Sequence, residues 1–109
     1  MYTEIFNINY RIEIGRNQME NDRLIKTSRQ NSIWFHLKDQ PSPHGIITLL
    51  NHCSLDKEVI YRTAQLVKSF SKAKNLNKVA VEYIPLSKIK TTNIPGMVVL
   101  KKTPQYIVV

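Results

Sequence analysis

With 109 residues, sixteen Lys+Arg and eight Asp+Glu for a net charge of +8, the chain is long enough to bury one hydrophobic core. It is too short to hold a catalytic domain beside a binding domain. Charged residues at 22% with only three Gly and five Pro exclude wholesale disorder, and the longest apolar run, around Ile46–Leu50, is far short of a bilayer span.

Residues 2–8 favour strand through their β-branched and aromatic types, and Arg11-Ile12-Glu13-Ile14 alternates strictly. The two runs predict a hairpin turning near Asn9 and closed by Gly15. Residues 17–28 predict a short helix. Asn17 is its cap and Glu20 stands three residues on, as in a capping box. Met19, Leu24 and Ile25 offer it a sparse apolar stripe. Residues 32–38 read as a strand with Ile33, Phe35 and Leu37 on one face and Trp34, His36 and Lys38 on the other. Pro41 and Pro43 make the next segment a loop, and residues 45–50 form another apolar strand.

Residues 55–74 predict the long helix, capped by Ser54 or Asp56. Val59, Ile60, Thr63, Ala64, Val67 and Phe70 form its buried stripe, and Lys57, Tyr61, Gln65, Lys68 and Lys72 lie opposite. Val79, Val81 and Tyr83 mark a further strand. Pro85 to Pro95 reads as a basic loop carrying Lys88 and Lys90, and 97–101 and 106–109 as two last strands. The order predicts an α+β fold: a mostly antiparallel sheet of about six strands, with one long helix packed on a face and one short helix. Residues 1–109 are expected to form a single domain. A sheet covered by one helix buries one face, so Trp34 is expected in the core beneath the long helix, with Phe35 on the other side. The alternative is an exposed Trp34 that stacks on a base.

Charge is uneven. Residues 1–55 hold six Lys/Arg and five Asp/Glu, whereas residues 56–109 hold ten and three. A basic half on a small domain predicts an acidic partner, with nucleic acid foremost. Gly15-Arg16-Asn17, between a strand and a helix start, offers amide and guanidinium donors to a phosphate, or else is a plain turn and cap. Lys68 and Lys72 are four residues apart and share a helix face. Lys74 closes the helix, where it either joins this footprint or complements the helix dipole, and Lys88 and Lys90 extend the patch. His36, Asp39 and His44 could serve acid–base or metal chemistry, but their spacing matches no metal signature, and Cys53 lacks a CxxC partner.

Beyond these single features, Gly15-Arg16-Asn17, Glu20-Asn21 with Leu24, Ile33-Trp34-Phe35-His36, Pro41 and His44 stand in the order and spacing of a known pattern. Ser71-Lys72-Ala73-Lys74, Val81-Glu82-Tyr83 and Pro95-Gly96-Met97-Val98 continue it. From about residue 10 to the end, the chain resembles the NFACT-R domain. That domain forms the C-terminal part of ribosome quality-control factors and begins certain short eukaryotic coiled-coil proteins. The resemblance implies an RNA-binding module acting near the large ribosomal subunit. The chain-tailing activity of the multidomain members is not expected of it. One departure stands out: the family's Pro-Gly-Ser-His is Pro41-Ser42-Pro43-His44 here.

The resulting expectation is a non-catalytic, cytoplasmic RNA-binding domain for tRNA or rRNA, with the large ribosomal subunit as a possible partner. It needs no cofactor or metal and meets no membrane. Its candidate contacts are Arg16, Asn17, Arg23, His36, Lys38, His44, Lys68, Lys72, Lys74, Lys88 and Lys90. The alternatives are a DNA-binding or protein-docking module, or a small metal-dependent nuclease using His36, Asp39 and His44.

Overall fold

A computed structural model describes residues 1–109. Strands β1 (Tyr2–Asn7) and β2 (Tyr10–Gly15) form the expected antiparallel hairpin. Helix α1 (Gln18–Thr27), strands β3 (Ile33–Leu37) and β4 (His44–Leu49), helix α2 (Lys57–Ser69) and strand β5 (Ala80–Pro85) follow. A 3-10 turn (Leu86–Lys88) leads to β6 (Ile89–Thr91), β7 (Val98–Leu100) and β8 (Gln105–Val108). The six-stranded sheet has the order β1-β2-β4-β3-β5-β8, and its pairings are antiparallel.

Both faces of the sheet are covered. On one face, Ile12, Ile14, Phe35, Leu37, Ile47 and Val81 pack with Val59, Ala64 and Val67 of α2. On the other, Trp34, Ile46 and Ile84 meet Leu24 and Ile25 of α1, together with Leu86 and Ile89. Period-2 alternation sends neighbouring strand residues to opposite sides, so Trp34 and Phe35 enter different cores. Glycine at position 45 lets α2 approach β4. A methyl group there would lie 2.8 Å from Val67 Cγ2 and 3.2 Å from Phe35 Cβ.

Several expectations change. Trp34 is buried, at 3% exposure, but beneath α1 and the β6–β7 region rather than under α2. The single-layer picture left out that second cover. Helix α2 ends at Ser69, with Phe70 as its C-cap, so it is three residues longer than the ten-residue α1 and does not reach 74. The Ser71 hydroxyl donates to the Lys68 carbonyl and accepts from the Ala73 amide, which tightens a turn in place of another helical turn. Met19 is 73% exposed, so α1 is anchored by Leu24, Ile25 and the buried Asn21. The segment read as a basic loop contains β6, which pairs with β7 in a separate two-stranded sheet. Residues 98–100 therefore leave the main sheet, and only β8 joins β5 at its edge.

The caps match the residue types. Asp56 accepts from the Val59 amide at 2.9 Å, and Asn17 accepts from the Glu20 amide at 2.9 Å. The return bond differs from a capping box, because Glu20 accepts from the Arg16 amide at 3.0 Å rather than from that of Asn17.

Candidate nucleic-acid interface

The strand register builds the site. Trp34 pairs with Ile46 and Phe35 with Gly45, and continuing that register sets His36 across from His44. The two imidazole centroids lie 5.3 Å apart, tilted by 72°. Trp34 stacks on His36 at 5.3 Å and 19°, and meets His44 edge-on at 5.3 Å. Trp34 Nε1 donates to His44 Nδ1 at 3.1 Å. The His44 amide donates to Asn21 Oδ1 at 3.1 Å, locking β4 to α1. The same Asn21 oxygen would lie 2.5 Å from a methyl group at Gly15, so the glycine is what lets this contact form.

A groove of about 690 Å³ opens over these rings. The start of α1 (Arg16, Asn17 and Gln18), the Pro41–Pro43 loop, Phe70–Lys72 and Pro95–Val98 also line it, as do the carboxylate residues Asp39 and Glu82. The Pro95 wall is docked on α1: Gln18 Nε2 donates to the Pro95 carbonyl at 2.8 Å, and the Gly96 amide to Asp22 Oδ1 at 3.2 Å. Gly96 has φ 77°, and the Met97 amide closes back on Ile94. Proline then glycine at the centre of such a turn suits a type II geometry, where the positive φ favours glycine. Ser42 closes the opposite loop. Its hydroxyl accepts from the Leu37 amide at 3.0 Å and donates to the Pro43 carbonyl at 2.6 Å.

Burial, with the neighbouring His36 adding to it, lowers the His44 pKa to about 3. Burial lowers that of His36 as well, partly offset by the Leu37 carbonyl and Glu82. Both rings are therefore neutral near pH 7. At the mouth of the groove, the Arg16 guanidinium lies 5.3 Å from the centre of the Phe70 ring. The Met1 ammonium binds Glu20 at 2.8 Å and, with the Arg16 amide, holds that carboxylate below its usual range. The helix start thus carries its own anion, and what Arg16 offers a ligand is its side chain.

Among the expected contacts, Arg16, Asn17, His36, His44 and Lys72 come together in this groove. Arg23 is exposed along α1. Lys38 lies over Tyr106 at 5.5 Å, and Lys68 donates to the Val109 carbonyl at 3.2 Å. Lys74 is exposed in the turn after α2, and Lys88 and Lys90 are exposed on the 3-10 turn and β6. None of these six lines the groove. Lys72 lies beyond the end of α2, so it does not share a helix face with Lys68. His36, Asp39 and His44 do not form a metal-binding cluster. Asn21, not among the expected contacts, also lines the groove; its spacing of three and four residues from Leu24 and Ile25 is the signal in the sequence that it faces inward. No helix is long and apolar enough to cross a membrane.

Comparison with known proteins agrees with this architecture. The family described as NFACT protein RNA binding domain matches residues 2–102. The chain is 37% identical over 90 residues to the Rqc2 homolog RqcH of Streptococcus suis, covering 80% of this chain and 16% of that protein. It is 36% identical over 87 residues to Coiled-coil domain-containing protein 25 of Mus musculus, covering 76% and 42%. The chain thus spans less than half the length of either relative. The solved C-terminal part of the fibronectin/fibrinogen-binding protein from Streptococcus suis superposes with a TM-score of 0.82 at 31% identity, covering 92% of this chain and 40% of that one. A family match over residues 2–102, with the overall fold shared by a solved relative at 31% identity, places the chain in the NFACT protein RNA binding domain family.

Proposed function

We propose that residues 1–109 act as one non-catalytic domain that binds tRNA or rRNA in the cytoplasm through the groove between α1, the Pro41–Pro43 loop and the turn after α2. One observation carries the reading: Arg16, Asn17, His36, His44 and Lys72, from separate parts of the sequence, converge on a single groove. Arg16 and Lys72 supply cations for phosphate, and the neutral rings and apolar walls suit a base or ribose better than a metal ion. The Rqc2 homolog relatives support a setting in ribosome quality control, with the large ribosomal subunit as the partner that presents the RNA.

Fluorescence anisotropy with labelled tRNA, an rRNA fragment and duplex DNA of equal length tests this. The expected result is tighter binding to the RNAs than to DNA. Arg16→Glu with Lys72→Glu should weaken RNA binding about tenfold or more, as expected when two phosphate contacts are reversed in sign, with unchanged circular dichroism. Equal affinity for DNA would favour a general nucleic-acid module. No effect of the double substitution would remove the groove as the interface.

A further inference from the structure

His44 is 97% enclosed, with 3% of its surface exposed, yet it lines the groove. Its Nδ1 accepts from Trp34 Nε1, and an indole N–H can only donate. Nδ1 therefore carries the lone pair, and the neutral ring's proton is on Nε2. His36 Nδ1 lies 2.5 Å from the Leu37 carbonyl, which can only accept, so in that ring Nδ1 holds the proton and Nε2 the lone pair. Neither Nε2 atom has a hydrogen-bond partner within the chain. The fold thus sets one donor and one acceptor on adjacent rings, orients both through their other nitrogens, and leaves both unused.

This pair selects its ligand class. Phosphate oxygens only accept, so His36 Nε2 would oppose them. No third His, Cys, Asp or Glu joins the two rings into a metal-binding cluster. The edge of an unpaired nucleobase, by contrast, carries a donor beside an acceptor, and such edges are what proteins read in single-stranded RNA.

We infer that the Trp34–His36–His44 pocket holds one unpaired RNA base, read along its edge by His36 Nε2 and His44 Nε2–H while Arg16 and Lys72 hold the flanking phosphates. The inference rests on the reading that this groove faces RNA. Trp34 fixes the His36 ring from one side by stacking, so the acceptor is in place before a ligand arrives. A base within a duplex has its edge already paired and cannot enter.

The test compares a blunt RNA duplex, the same duplex with an unpaired three-nucleotide 3′ overhang, and free adenosine monophosphate, all by anisotropy or competition. The overhang should tighten binding about tenfold, in line with the usual gain from one protein-held base. His36→Phe keeps a ring stacked on Trp34 but removes the acceptor. It should cancel the overhang's advantage over the blunt duplex. In the wild-type protein, the 15N and 1H resonances of His44 Nε2–H should shift with the overhang RNA and not with the blunt duplex, a readout that holds even if the variant folds poorly. Equal affinity for both RNAs with a silent His44 resonance would overturn the pocket and leave RNA binding standing. Binding to neither RNA would overturn both readings. Adenosine monophosphate bound as tightly as the overhang RNA would assign the pocket to a free nucleotide and overturn its assignment to an RNA strand.

Discussion

His44 holds its place in the fold only as a neutral ring. Protonating Nδ1 would set a donor against the Trp34 N–H and put a charge into a buried site. The folded His44 titrates at about 3 against an ordinary 6.5, so between those values the unfolded chain binds a proton that the folded chain refuses. Stability is therefore complete above pH 6.5 and falls as pH drops toward 3, at about 1.4 kcal/mol per unit for such a group. His36, also lowered, acts in the same direction, and the lowered carboxylates Glu4, Glu20 and Asp22 add to the loss at the acid end. Urea melts at pH 7, 6 and 5 should show this decline, and His36→Phe should make it shallower. A flat profile would refute the buried neutral pair. The Ser42 hydroxyl is committed to the fold through Leu37 and Pro43. Replacing Ser42-Pro43 with Gly-Ser should therefore lower stability by about 1–3 kcal/mol, from two lost hydrogen bonds and a looser unfolded-state restraint, with little change in RNA affinity because the Ser42 hydroxyl is already engaged within the fold. Tighter binding by that variant would mean that Pro43 withholds from the RNA a backbone donor that this wall of the groove could supply.

Among the elements, α2 packs so closely on β4 at Gly45 that no side chain fits between them. Gly45→Ala pushes a methyl group to 2.8 Å from Val67 Cγ2 and should cost about 1–3 kcal/mol, as overpacking does. Val67→Ala empties part of the same space and should cost about 2 kcal/mol. The two sites share a contact, so the double variant should lose clearly less than the sum. Denaturant midpoints of the three proteins check this, and strict additivity would mean that α2 shifts rather than clashes. Helix α1 is held differently. Its inward face is short, and polar contacts from Gln18, Asn21 and Asp22 to Pro95, His44 and Gly96 complete it. The element that carries Arg16 and Asn17 into the groove is thus positioned by hydrogen bonds to the loops that form the groove's other walls.

At the scale of the whole molecule, not every cation is available to a ligand. Arg62 holds Glu4 through two hydrogen bonds of 2.9 and 2.6 Å, and Lys26 holds Asp22 at 2.9 Å. With Arg16 and Lys72 in the groove and Lys74, Lys88 and Lys90 exposed outside it, about four to six phosphate contacts are expected, so the log–log salt dependence of tRNA binding should have a slope of about −3 to −5. Affinity measured across monovalent salt from low to physiological concentration checks it. A slope near zero would mean that the basic half of the chain is only a solvated surface.

Much of this molecule was legible from local sequence. Alternation in β2, β3 and β5, the cap residues Asn17 and Asp56, and the apolar spacing of α2 each reflect interactions within a few residues, so the hairpin, both helices and the antiparallel sheet followed from the chain itself. The ordered motifs also named the family. What the sequence alone could not decide lies between distant segments. The second cover over the sheet depends on α1 and the 86–100 segment packing on the same strands, contacts with no local signature. With no such signature, local pattern leads Trp34 to α2 and residues 85–95 to a loop, where the structure has α1 over Trp34 and β6 in the segment. The groove depends on register: a one-residue slip between β3 and β4 would separate His36 from His44, and it is side-chain packing on both faces of the sheet that forbids the slip.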